Sequence, residues 1–325
     1  MAPIFRLIVI NLTVIVLAKV ILDYVTINKR IFNSIAHISP QISSISNGTA
    51  HISPQISSLR VPTWNKTTIN TTLHQIGVPS KLPILVIAAC AHSLKSWKSL
   101  NETSLQTLLI PSIERTVKKK EIEKWDVRLY LGIDHDDKFW LEHHKKLVKP
   151  EWLTMHWGFY KSPQQKVPFN QMMQHAYNDG AEYMVRINDD TEFLTTGWIT
   201  YGVNALQTFY PPNVGVVGPT CHQGNTEIMT HDMVHRTHLD IFENYYPTVF
   251  SAWWIDDWIT LVYKPSCSKQ LPEWEVKHHT NMHGTRYTVQ GHEKNFLEEE
   301  VAKGKKRVEL RVLWHEQNKT SLNNG

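Results

Sequence analysis

Hydrophobic residues in this chain fall into short unbroken runs separated by stretches of helical spacing. Leu82–Ala91, with Ile84, Leu85, Val86 and Ile87 in succession after Pro79 and Pro83, predicts a first strand buried on both faces. Thr103–Lys118 sets Leu105, Leu108, Leu109, Ile113 and Val117 on one helical face, and Lys118, Lys119 and Lys120 are cations suited to a helix C-terminus. Trp125–Ile133 predicts a second strand that runs into Asp134, Asp136 and Asp137. A helix over 137–148, a third strand over Leu153–Phe159 and a helix over Phe169–Asn178 closed by Gly180 follow. Tyr183, Met184, Val185 and Ile187 form a fourth buried strand that ends abruptly in Asn188, Asp189 and Asp190. A further strand, Val214–Val217, leads into Gly218–Pro219, after which the sequence is rich in His and aromatic residues through Trp258.

Strands that alternate with helices predict an α/β fold with a mainly parallel, Rossmann-like central sheet, right-handed crossovers and helices on its faces. Such sheets bind ligands at the carboxyl edge of their strands. Asp134 and the pair Asp189–Asp190 end two different strands and so are expected on the same rim. Adjacent carboxylates repel each other unless a cation or hydrogen-bond donors compensate them, and Mg²⁺ or Mn²⁺, with their preference for oxygen ligands, would do so. The alternative is a solvated turn in which Asn188 and Asp189 cap the next segment.

The N-terminal part has a different character. Residues 1–25 are mostly apolar, Leu7–Ala18 being interrupted only by Asn11 and Thr13, and reach about the ~20 residues that span a bilayer. Val16–Leu17–Ala18 also resembles a signal-peptide cleavage site, so a secreted form competes with a membrane anchor. In residues 26–80, Ala36–Ser44 recurs almost unchanged as Ala50–Ser58, a Ser/Ile/Pro duplication that reads as a stem. Glycosylation-type sequons at Asn47, Asn65, Asn70, Asn101 and Asn318 bracket the stem and the domain. Anchor, stem and a domain over 81–325 describe a type II protein of the secretory pathway.

Composition narrows the function. A chain of 325 residues with a formal charge of +4 and no compact Lys/Arg block excludes a nucleic-acid binder and leaves an anionic small substrate open. Twelve Trp and eighteen His are many, and Trp often stacks on sugar faces. Three cysteines allow one disulfide at most; Cys90 falls in a buried strand, whereas Cys221 and Cys267 lie in loop-like sequence suited to pairing in an oxidising lumen.

With these elements in place, the chain resembles a glycosyltransferase of the GT-A fold over about Leu82 to Leu313. The strand ending in Asn188–Asp189–Asp190 looks like a variant of that family's DxD motif, and Trp253-Trp-Ile-Asp-Asp-Trp258 looks like its acidic acceptor-side motif. The resemblance implies a donor half over about 81–192 and an acceptor half over about 193–315. It implies a nucleotide-sugar donor, a glycan or glycoprotein acceptor, Mn²⁺ or Mg²⁺ as cofactor, and a Golgi membrane location with the domain in the lumen, the secreted or endoplasmic-reticulum setting being the alternative. Carried over residue by residue, Asp190 is the metal ligand, Asn188 the ribose-side contact, and Asp134 meets the nucleoside. Asp189 and Arg186 complete the donor side. Asn188 replaces the usual Asp and leaves one charge fewer for the cation. A C-terminal His completes the metal shell, with His278 ahead of His279 and His283.

Transfer of a hexosyl or N-acetylhexosaminyl group needs a base for the acceptor hydroxyl, and burial would raise Asp256 or Asp257 toward that role. The resemblance favours Asp257 as base, with Asp256 holding acceptor hydroxyls, which implies an inverting displacement. Otherwise the two acids cap a helix that begins near Trp258. Trp253, Trp254, Trp258 and His231 are the candidate acceptor platform, at least one Trp being core. His231, His235 and His238 share an i, i+4, i+7 spacing, so a zinc site on a helix competes with a polar face of the acceptor pocket. Two other functions fit paired acids: a metal-dependent hydrolase of glycosidic or phosphate bonds, and a lumenal carbohydrate-binding protein that has lost its cation.

Overall fold

The computed structural model of the protein describes residues 82–161, 166–284 and 290–323. The expected anchor, stem, duplication and the sequons at Asn47, Asn65 and Asn70 lie outside these residues. Among the described residues no helix is long and apolar enough to cross a membrane.

Eight strands form one sheet in the order β3-β2-β1-β4-β7-β6-β8-β5. They are β1 (Ile84–Cys90), β2 (Asp126–Asp134), β3 (Thr154–Tyr160), β4 (Ala181–Asn188), β5 (Thr191–Phe193), β6 (Val216–Cys221), β7 (Asp232–His235) and β8 (Ser268–His278). The helices include α1 (Ile110–Thr116), α2 (Lys119–Ile122), α3 (Lys138–His143), α4 (Phe169–Asn178), α5 (Trp198–Gln207), α6 (Thr237–Ile241), α7 (Ile255–Val262) and α8 (Leu297–Asn323). β1, β2, β3 and β4 run parallel, as the alternating pattern predicts, and β6 is parallel to β8. β7 enters antiparallel between β4 and β6, and β5 pairs antiparallel with β8. The sheet is therefore α/β and mostly parallel.

Every residue of β1 is buried, because each face of the sheet is covered. Leu85, Ile87 and Ala89 pack on one side with Leu105, Leu109 and Ile113, while Val86 and Ala88 pack on the other with Met172, Met173 and the apolar side of α7. β1 leads to β2 on one side and has β4 on the other, so the strand order reverses between β1 and β4. Cys90 and Asn188 are partners at the carboxyl ends of these two strands. A crevice at such a switch point is where open α/β sheets hold ligands.

Several boundaries move. α4 spans the residues predicted for it, and Gly180, with φ +89°, follows it as its stop. The first helix begins in a π turn, Leu105–Leu109, and ends at Thr116, and Lys119 and Lys120 belong to α2 rather than to its C-terminus. The proposed His helix does not form: His235 ends β7 and His238 sits in α6, so the i, i+4, i+7 face needed for zinc is absent. Among the described residues no group of three or more His, Cys, Asp or Glu side chains could hold a metal ion. The cysteine pairing also fails. None of the three buried cysteines forms a disulfide; the Val216 amide bonds to the Cys267 carbonyl while Cys221 lies opposite Val276, so the two occupy opposite ends of one strand pair.

Candidate active site

A cavity of about 460 Å³ opens at the carboxyl ends of β1 and β4. That volume is in the usual range for small-molecule sites. Two remote segments line it, Asn188–Asp189–Asp190 and Trp253–Asp257, together with Cys90, Arg186 and His278.

On the β4 side the polar triplet is buried rather than solvated. Asp189 is covered and accepts a hydrogen bond from Ser104 Oγ at 3.2 Å. Asp190 is also covered, and its Oδ1 lies 3.0 Å from His278 Nε2. β8 delivers this imidazole: its last residue, His278, pairs with Thr191, and the His279 amide donates to the Asp190 carbonyl. Asn188 Nδ2 is 3.2 Å from the same Nε2. A lone pair on Nε2 facing a carboxylate oxygen at this range needs a proton or a cation between them. Two cis ligands of an octahedral ion, each at about 2.1 Å, are about 3.0 Å apart, and Asp190 and His278 have that separation. Mg²⁺-type ions are commonly held by one or two side chains plus substrate phosphates. The other two histidines turn elsewhere: His279 bonds Glu192 at 3.0 Å, and His283 packs edge-on to Trp97.

Asp134 occupies the same rim but stands outside the cavity, where its Oδ2 accepts from His92 Nδ1 at 2.7 Å. Asp137 caps α3, accepting from the Trp140 amide, and also binds the amide and hydroxyl of Ser93. His92 and Ser93, in the turn after β1, were not singled out from the sequence; their position directly after the first buried strand was the available signal.

On the far wall Trp254 takes a left-handed conformation, φ +70°, and α7 starts at Ile255, three residues earlier than expected. Asp256 and Asp257 thus sit in the first turn, where the helix dipole favours anions. Burial pushes the Asp256 carboxyl up, and the Arg186 guanidinium at 2.7 Å pulls it back. Among the described residues no hydrogen bond or ion pair engages the Asp257 carboxylate. Trp253 is 41% exposed, and Trp254, under Lys294, keeps a buried Nε1 with no hydrogen-bond partner among the described residues.

Three placements differ from expectation. Trp258 is 1% exposed, lies in the core with Phe242 and donates to the Glu300 carbonyl, so it is no part of a platform. His231 is buried behind the cavity, not on its surface: its Nε2 meets Thr191 Oγ1 at 3.1 Å, and burial holds it well below the usual imidazole range. Arg186 lines the cavity but is held by Asp232, Asp256 and the Met229 carbonyl.

No family model matches the chain, and no curated protein matches it by sequence. Solved structures that it resembles include GalNAc-T7 with UDP, GalNAc and Mn²⁺, at 10% identity and a TM-score of 0.42 over 62% of this chain. TarS of S. aureus matches at 11% identity and 0.42 over 67% of this chain. A protein of Desulfovibrio desulfuricans G20 described as a nucleotide-diphospho-sugar transferase matches at 13% and 0.38, over 69% of this chain and 99% of its own. The chain spans 44% of the first of these and 39% of the second.

Proposed function

We propose that the protein is a glycosyltransferase that moves a sugar from a nucleotide-sugar to a hydroxyl of a glycan or glycoprotein, with inversion. The observation that carries this reading is the convergence of Asn188–Asp190, His278 and Trp253–Asp257 on one cavity. Asp190 and His278 would hold the divalent cation, and Asn188 would meet the ribose side of the donor. A bound cation supplies Lewis-acid stabilisation of the departing diphosphate. Asp257 takes the proton of the acceptor hydroxyl as that oxygen bonds to the anomeric carbon and the bond from that carbon to the diphosphate breaks. Trp253, the more exposed of the two, offers an apolar face to the acceptor sugar, with Trp254 lining the cavity beside it. Asp256, ion-paired to Arg186, is unsuited to act as the base. The proposed Golgi-lumenal setting rests on the sequence of residues 1–80.

Thermal unfolding with UDP- and GDP-sugars, with and without Mn²⁺, tests the donor side. We expect stabilisation that needs both the nucleotide and the cation, about 2.7 kcal/mol at a hundred times Kd, and that disappears in Asp190→Ala. Equal stabilisation of the variant and the wild type would refute the cation site.

A further inference from the structure

Arg186 is the one charged residue in the buried run from Tyr183 to Ile187, and it is 1% exposed. A buried cation has to be matched by partners, and each guanidinium nitrogen here has one. Nε donates to Asp232 Oδ2 at 2.6 Å, Nη1 to Asp256 Oδ1 at 2.7 Å and Nη2 to the Met229 carbonyl at 2.8 Å. Asp232 is its partner across the β4–β7 ladder and also accepts from Tyr245 at 2.5 Å. The rings of Phe169 and Tyr246 lie 5.8 and 5.6 Å from the guanidinium carbon.

These bonds form a closed circuit between the two walls of the cavity. From Arg186 on β4 it passes to Asp256 in the first turn of α7. Within that helix the Thr260 hydroxyl donates to the Asp256 carbonyl and accepts from the Met229 amide at 2.8 Å. Met229 closes the circuit through its carbonyl to Arg186. The turn fixed in this way begins at Trp254, whose left-handed backbone is uphill for a bulky residue and persists only where its surroundings hold it. It also carries Asp257.

We propose that Arg186 is a positioning residue for sugar transfer: a strut that sets α7, and with it the Asp257 carboxylate, against the strand that ends in Asn188–Asp190. This rests on the transferase reading above. Its partners are protein groups, so it does not hold the donor diphosphate. Asp256 is the far end of the strut, neither a base nor an acceptor ligand.

A double-mutant cycle of Arg186→Met and Asp256→Asn, run beside Asp257→Asn, tests the strut. Nucleotide binding is read by titration of UDP or GDP with Mn²⁺, and transfer by initial rates. For Arg186→Met we expect nucleotide Kd within about threefold of wild type and kcat lower by about 10²-fold, the scale of an ångström-level misplacement. Asp256→Asn keeps an acceptor oxygen for Nη1 and should lose about tenfold in kcat. The double variant should fall no further than Arg186→Met, because the two changes break one connection. Arg186→Lys, which keeps the charge, should recover part of the rate. Loss of nucleotide binding in Arg186→Met would make Arg186 a donor ligand and overturn the proposal. Should that variant not fold, Asp256→Asn decides alone: a rate equal to wild type, or one as low as Asp257→Asn, overturns it. If the wild-type protein transfers sugar from no nucleotide-sugar, the transferase reading itself fails and the strut falls with it. Transfer by the wild type with an unaffected Asp256→Asn removes the strut alone.

Discussion

Asn188–Asp190 and Trp253–Asp257 face the same cavity, yet they are held there by different means. The first continues β4, which pairs in parallel with β1 residue by residue, as β1 in turn pairs with β2. The second starts a helix from a left-handed Trp254, and its orientation comes from side chains of β4 and from Met229. A rim built on backbone ladders tolerates change in its side chains without moving. A rim held by side-chain bonds does not, and the chemistry that needs the closest alignment, proton removal, is assigned to that side.

The sharpest way to separate the two walls is Asp257→Asn, which should lower kcat by about 10²–10⁴-fold while leaving cation-dependent nucleotide binding intact. Loss of nucleotide binding in this variant would erase the division of labour. A second test lies in the tryptophans. Trp258→Ala should cost about 3–5 kcal/mol of stability in denaturant unfolding, as a core truncation does. Trp253→Ala should stay within about 0.5 kcal/mol and raise the acceptor KM. Similar unfolding midpoints for the two would show that Trp258 is not a core residue.

Acid should loosen the second wall before the first. Burial pushes His238 down to about 4, against 6.5 for the free side chain. The unfolded chain therefore takes up that proton first, so the stability contributed by the neutral ring is complete above pH 6.5 and lost as the pH falls toward 4. The full loss is about 3 kcal/mol. His238 packs on Tyr245, Tyr263 and Trp258, all behind the acceptor wall. Hydrogen exchange near pH 5 should consequently rise in α6 and α7 before it rises in β1–β4, and His238→Gln should flatten the pH dependence. Uniform exchange across both halves would contradict the comparison.

The parallel half was legible because its strands are unbroken apolar runs that cannot be satisfied except by burial on both faces. Asn188–Asp190 stood out for the same reason, as an abrupt end to such a run. The other half was harder. β7, with the sequence Asp232-Met-Val-His235, is four residues long and carries a buried acid, so nothing in its periodicity separates it from a helix bearing spaced histidines. The resemblance sets Arg186 on the donor side, but a buried arginine is explained by partners distant in the chain, Asp232 and Asp256, which local patterning does not reveal. Trp258 and Trp253 are the same residue type and opposite in burial; only the turn of α7 tells them apart.

β8 pairs with β6 along most of its length and with β5 at its end, where His278 comes to rest beside Asp190. During translation the carboxylates leave the ribosome some ninety residues ahead of this imidazole (278 − 190 = 88). By then every strand of the parallel half has emerged and is free to fold. The nascent protein thus brings Asp190 and His278, the pair proposed to hold the cation, together only when the closing strand is threaded in, and a chain interrupted before it carries the acids of the rim without their imidazole.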